Sequence, residues 1–419
     1  MTSQQSLARN ALSIATLAFS VNFAIWTLYA VMGIEIRQQL NLSATDFGLL
    51  LAAPMLTGAL LRFPAGYLVE KFNAKSVFIW QMLLLIPPLL LLCYAESYLD
   101  YVVIGLFLGI SGTSFTIGIQ YVSTWYTKTH QGTAMGIFGA GNVGAAFTLL
   151  VTPLIIEHFS WQAIGPIFAL LILITCALFA LLAPKLNQPK PQKSTPFKAL
   201  VGDFRVWRFS LYYYFVFGSF LALILWLPQY YMSAYQLTPT EAMSHTLIFV
   251  FISSSVRALG GLISDKYAAT QVNWGVFWVC LVCLFFLSYP PTTMTIHGIK
   301  GDVNVSIGIN VWLFTALLIV IGIAQGIGRA SVFKVIHGYY PNQMGSVGGF
   351  VAAIGALGGF TLPVLFGFAE EVIGVHSASF MLLYSILALC MVLLHLALKS
   401  EKHQQRLAAA LADDFLEQD

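Results

Sequence analysis

Residues 62–74 read RFPAGYLVEKFNA, and residues 257–269 read RALGGLISDKYAA. At a constant offset of 195, Arg62 falls on Arg257, Gly66 on Gly261, Glu70 on Asp265, Lys71 on Lys266, Phe72 on Tyr267 and Ala74 on Ala269. Each copy passes from an apolar stretch into an acid–base pair. That is how a helix ends at a membrane edge. A repeat at this spacing makes the chain two related units, each cut from the same pattern.

The composition agrees. Of 419 residues 58% are hydrophobic and 9% charged, against about 25% charged in soluble domains. So few charges cannot cover a water-facing surface, so lipid is the expected solvent. The net charge of +3 points to no nucleic-acid partner. Apolar segments recur at about 11–33, 47–69, 76–95, 99–124, 132–156, 162–184, 208–229, 244–264, 273–290, 310–333, 345–369 and 377–398. Each is long enough to span a bilayer, and the first exceeds a signal-peptide core. The longest connection, Lys185–Val206, is rich in Pro, Lys and Gln and divides the segments six and six. The connection at 291–309 reads as an ordinary exposed loop. The expected fold is an all-α membrane protein of two six-helix bundles. Residues 1–184 form the first bundle, 185–206 a linker, 207–398 the second bundle and 399–419 a tail able to form a short amphipathic helix.

Lysine and arginine placement sets an expected orientation. With both termini cytoplasmic, that side holds Arg9, Lys71, Lys75, Lys128, Lys185, Lys190, Lys193, Lys198, Arg205, Arg208, Lys266, Lys334, Lys399, Lys402 and Arg406. The opposite side holds only Arg37 and Lys300. The expected location is a plasma membrane, and the compact loops fit a bacterial inner membrane.

Three arginines remain inside apolar segments: Arg62, Arg257 and Arg329. Arg62 and Arg257 each precede the membrane-edge acid by eight residues, roughly 12 Å along a helix. A charge at that depth costs at least ~2.5–3.5 kcal/mol on insertion scales. All 17 acidic residues lie near segment ends, in connections or in the termini, so an internal salt bridge is not available. Snorkelling over ~12 Å is long for an arginine. The remaining account is a cavity where a bound anion supplies the charge. Guanidinium groups match planar oxyanions through paired N–H donors, which favours a small trigonal anion. Arg329 lies five residues before Lys334, and the expectation there is snorkelling or a place in an inner vestibule.

Segment 5 reads GTAMGIFGAGNVGAAF from Gly132, and segment 11 reads GSVGGFVAAIGALGGF from Gly345. Such glycines let helices approach closely in lipid. Gly136, Gly141, Gly144, Gly348, Gly355 and Gly358 are candidates for static packing or for faces that slide between access states. Asn142 is either a helix–helix hydrogen bond or a ligand contact. In segment 7, Tyr213 and Phe217 stand four apart on one face. The five cysteines all lie in apolar stretches and read as packing. No metal-ligand cluster, nucleophile elbow or phosphate loop is visible, so neither an enzyme nor a cofactor is expected.

With its parallel repeats, the chain resembles the nitrate/nitrite porter family of the major facilitator superfamily. The pieces GNVGAAF and GSVGGFVAAIGALGGF carry the resemblance most specifically, with the loop motif at Gly66, Glu70, Lys71, Gly261, Asp265 and Lys266. The resemblance implies that Arg62 and Arg257 bind nitrate or nitrite. It implies too that Phe115, Tyr213, Phe217 and Asn142 complete the site, Phe115 being aligned by its place thirteen residues before Lys128. Two departures stand out. Gly328-Arg329-Ala330-Ser331 replaces the family's Gly-Asn-Gly-Ser, and Ala258 follows the second arginine where the family has Pro.

The expected activity is alternating-access transport by a monomer, as nitrate/nitrite exchange or nitrate uptake, in nitrate assimilation. His245 sits too near a segment end to be a good proton relay. The rival readings are a carrier of a small organic carboxylate and a non-transporting nitrate sensor. The sensor lacks any soluble signalling domain in this sequence.

Overall fold

The structure is a computed structural model that describes residues 3–126, 131–185, 197–299, 301–340 and 344–416. Lys128, Lys190, Lys193 and Lys300 of the charge pattern, and residues 186–196 of the 185–206 connection, lie outside the described residues. So do the side chains of Glu70 and Asp265.

Among the described residues, twelve helices are long and apolar enough to cross a membrane. They are α1 (Gln5–Leu40), α2 (Ala44–Val69), α3 (Ala74–Tyr94), α4 (Tyr98–Ser123), α5 (Ala134–His158), α6 (Trp161–Leu182), α7 (Phe204–Tyr235), α8 (Pro239–Ser264), α9 (Ala269–Leu287), α10 (Val311–Tyr339), α11 (Ser346–Ile373) and α12 (Ala378–Ser400). An even number of crossings returns the chain to the face on which it began.

Local sequence explains where several helices start. Ser43 caps α2, and Asn310 caps α10. Ser97 with Asp100, and Thr238 with Glu241, form reciprocal capping boxes at α4 and α8. These side chains satisfy backbone N–H groups that the first helical turn leaves open. All four caps stand on the face opposite the termini.

The repeat is visible in the backbone as well. Phe72, at the end of the first copy, has φ −117° and ψ 164°, and Tyr267 has φ −116° and ψ 158°. The lysine before each ring lies over it, Lys71 on Phe72 and Lys266 on Tyr267, both at 5.7 Å. Two sequences with little identity outside the motif have folded into the same corner.

The two halves meet along α2 with α11 and α5 with α8. Gly48 lies flush on α11, where a Cβ would stand 3.2 Å from the Cα of Val364. Near the face opposite the termini, Thr45 donates from its backbone N and its Oγ1 to the Glu371 carboxylate, at 3.0 and 2.7 Å. Helix α7 carries one π-helical turn, Tyr214–Gly218. Such a turn inserts one residue into the helical ladder and is frequent at functional sites.

Two segments differ from the sequence reading. The 291–309 connection is a β-hairpin, with Thr292–Gly298 (β1) paired antiparallel to Gly301–Ile307 (β2). Alternation of β-branched residues such as Val303, Val305 and Ile307 favours a strand, and Gly301 at φ +126° adopts a conformation open mainly to glycine. The last helix does not stop at 398. It runs unbroken from Ala378 to Leu416, because 399–416 contains strong helix formers and neither Gly nor Pro.

Candidate functional site

The repeat places Arg62 and Arg257 on α2 and α8, the helices by which each half faces the other. Both side chains are buried, at 3% and 6% exposure. Arg62 donates from Nε to the Gly112 carbonyl at 3.3 Å and from Nη1 to the Ala352 carbonyl at 3.0 Å. Its second terminal nitrogen, Nη2, is buried with no hydrogen-bond partner. Arg257 donates from Nη1 to the Gly139 carbonyl at 3.4 Å.

Phe115 on α4 contacts both arginines. The Arg62 guanidinium stands 5.5 Å from its ring centre, and that of Arg257 stands 5.3 Å away. Arg62 also lies over Phe217 at 5.7 Å and Trp26 at 5.3 Å. Phe217 stacks on Tyr213 at 5.1 Å, across the π-helical turn of α7. The Tyr213 hydroxyl is buried without a partner. The structure thus gathers Arg62, Arg257, Phe115, Phe217 and Tyr213 around one point.

Asn142, 1% exposed, belongs to the same cluster. With its amide oxygen turned toward the guanidiniums, it accepts from Arg257 Nη1 at 3.0 Å and from Arg329 Nη1 at 3.3 Å. One amide on α5 therefore meets arginines on α8 and α10.

Arg329 is the main correction to the sequence reading. It neither snorkels nor lines a vestibule edge, and it has no solvent exposure. Its Nη2 donates to the Ser253 carbonyl at 2.5 Å and to the Ser253 hydroxyl at 2.7 Å. Its Nε donates to the Gln325 carbonyl at 3.3 Å, and its guanidinium lies 4.0 Å from the Phe220 ring centre. The reason is helix length. Lys334 does not end α10, which runs on to Tyr339, so Arg329 sits roughly 15 Å inside the helix end. Ser253 lies one turn from Arg257 on α8, which sets the two arginines side by side.

None of the three guanidiniums has a carboxylate partner among the described residues. Carbonyl oxygens and ring faces cover them, but these supply only partial charge. Uncompensated charge in a low-dielectric interior is costly, and a small anion entering the cluster would offset that cost.

The glycines separate into two groups. Gly141 and Gly144 seat against α1, at Phe19 and Ser20, and Gly355 and Gly358 seat against α7, at Tyr213 and Gly218. Gly136 faces the other half, opposite Ala258, and Gly348 is buried. Sequence reasoning missed Gly139, where a Cβ would come within 2.8 Å of Arg257 Nε. It missed Trp26 and Ser253 too, since neither residue type in an apolar helix signals an arginine partner. In the loop motif, Gly66 and Gly261 are half-buried and Lys71 and Lys266 exposed.

Comparisons with known proteins fit this architecture. The model of the Major Facilitator Superfamily matches residues 14–309. A probable nitrate/nitrite antiporter of Thermus thermophilus is 34% identical, over 96% of this chain and 94% of its own length. A nitrite extrusion protein of Bacillus subtilis is 30% identical over 90% of this chain and 91% of its own length. A probable nitrate transporter of Staphylococcus epidermidis is 30% identical over 93% and 97%. Among solved structures, a bacterial homologue of the human lysosomal transporter Spinster, inward-facing and occupied, superposes with a TM-score of 0.71. It covers 93% of this chain and 96% of its own, at 13% identity, which speaks to the fold alone.

Proposed function

We propose, from the premise that this chain belongs to the Major Facilitator Superfamily and to its nitrate/nitrite porter family, that it carries nitrate and nitrite across the membrane between Arg62 and Arg257. The observation that carries the reading is a pair of repeat-related arginines over one phenyl ring, with a buried, unpartnered Nη2 on Arg62 and no carboxylate partner among the described residues. A planar oxyanion supplies both the missing charge and the acceptors that paired N–H groups require. Phe115 and Phe217 hold the guanidiniums by their ring faces. Tyr213 and Asn142 add a hydroxyl and an amide to the anion's edge.

The transport cycle follows from electrostatics. Closing an empty site buries uncompensated charge, and closing a filled one does not. The loaded carrier therefore reorients more readily, which favours exchange of nitrate for nitrite. The halves 1–184 and 207–398 rock about the arginines, joined by the 185–206 connection. Gly136 at the interface and the glycine seams of α5 and α11 permit the motion. Both termini face the cytoplasm of a bacterial inner membrane, and one chain suffices.

The test is nitrate and nitrite binding to purified protein in detergent, wild type beside Arg62→Lys and Arg257→Lys. Lysine keeps the charge and loses the planar fork. Binding by the wild type, with most of the affinity lost in both variants, supports the site. A wild type indifferent to both anions removes the substrate assignment. Proteoliposomes that accumulate nitrate with no internal anion, acidifying as they do so, remove the exchange mechanism.

A further inference from the structure

We infer that Arg329 is a third fixed charge of the anion centre, a positioning residue that raises the affinity of Arg62 and Arg257 for the anion. The inference rests on the anion-carrier reading above and deepens it.

Arg329 has no exposure, and its donors are largely committed. Ser253 takes Nη2 twice and Gln325 takes Nε, with Phe220 against the guanidinium face. A side chain held on three sides by fixed groups does not swing out to meet a ligand. Its remaining nitrogen, Nη1, turns to the one oxygen it shares with Arg257, that of Asn142. Arg329 therefore fixes the amide that also fixes Arg257, and holds a full positive charge beside it.

A purely structural staple between α8 and α10 needs donors, not charge. Neutral donors could serve such a staple without the cost of burying a cation. The charge becomes favourable only when a negative ion enters the centre, and in a low-dielectric interior it acts over several ångströms. The substrate class this selects is a small anion that fits between the first two guanidiniums and within the field of the third. A neutral isostere of the same size gains nothing from Arg329.

The experiment is calorimetric titration of nitrate into purified full-length protein, wild type beside Arg329→Lys and Arg329→Gln, with the melting temperature of each. Lysine keeps the charge, and glutamine keeps only neutral donors. The expected result is nitrate affinity in Arg329→Gln weaker by about tenfold or more, because a buried charge has been removed. Arg329→Lys, which keeps the charge, is expected to stay within about threefold of wild type in affinity, even though both variants melt lower because donors to Ser253 and Gln325 are lost. Wild-type affinity in Arg329→Gln overturns the inference. So does equal loss of affinity in both variants, which marks a staple. A wild type that binds neither nitrate nor nitrite fails the carrier reading itself, and is thereby told apart from a failure at Arg329.

Discussion

Arg62 and Arg257 share the ring of Phe115: one guanidinium stands 5.5 Å from its centre and the other 5.3 Å. The two charges, one from each half of the chain, are thus positioned by a single side chain on α4. Each cation–π contact contributes about 0.5–2 kcal/mol, and together they hold both donors ready for a ligand. Phe115→Leu is therefore expected to weaken nitrate binding by about tenfold, as preorganisation is lost, while Phe115→Tyr stays near wild type. Equal affinity in the leucine variant, by titration in detergent, sinks the idea.

Gly358 and Gly136 answer differently to the same change. A Cβ at Gly358 would come within 2.6 Å of Gly218 Cα, whereas one at Gly136 would meet Ala258 Cα at an ordinary 3.7 Å. Backbone cannot retreat from the first contact without separating α11 from α7. Gly358→Ala is expected to lose folded protein, by about 1–3 kcal/mol of overpacking or more. Gly136→Ala is expected to fold normally. Size-exclusion profiles and melting curves decide it, and a monodisperse, wild-type-like Gly358→Ala contradicts the packing argument.

Thr45 and Glu371 tie α2 to α11 near the face opposite the termini. Removing the carboxylate charge weakens two hydrogen bonds that join these helices. Met55 on α2 is fully buried and packs against Gly359 of α11. A cysteine at Met55 is expected to react slowly with an impermeant maleimide, and several times faster in a Glu371→Gln background. An unchanged rate shows that the contact does not hold the two helices together there.

His376 lies in the short turn between α11 and α12, its Nδ1 2.6 Å from Glu370 Oε1. That hydrogen bond raises its pKa above the usual value, against burial and the charge of Arg37. A raised folded pKa gives stability that is complete below the unfolded value of about 6.5 and lost as pH climbs through the folded one. The melting temperature of the wild type should therefore fall across that window relative to His376→Gln. Parallel curves for the two proteins contradict it.

Much of this molecule was legible in the sequence, for physical reasons. Charge is so expensive in lipid that a run of twenty apolar residues has few alternatives, and an arginine inside one must have a purpose. Arg62 and Arg257 were found by that rule. Phe115, Tyr213, Phe217 and Asn142 were not, since aromatic and amide side chains in membrane helices are common. They came from family resemblance, and the structure places all four at the arginines. Arg329 was misjudged because depth was measured from the nearest lysine and not from the true end of α10. The hairpin at 292–307 was missed because its Gly, Asp and Asn were weighed above the alternation of Val303, Val305 and Ile307.

The matching corners at Phe72 and Tyr267 have one more consequence. Both corners stand on the face that carries the termini, so the two halves repeat in parallel and bring the same residue to the centre from opposite flanks at one depth. The twofold relation lies between the halves, and the two membrane faces stay inequivalent. Arg329 breaks the symmetry. Helix α4, the counterpart of α10 in the first half, has no arginine or lysine anywhere in 98–123. The centre therefore carries more positive charge on the flank of the second half than on that of the first, and an anion there would be drawn off the axis toward α10.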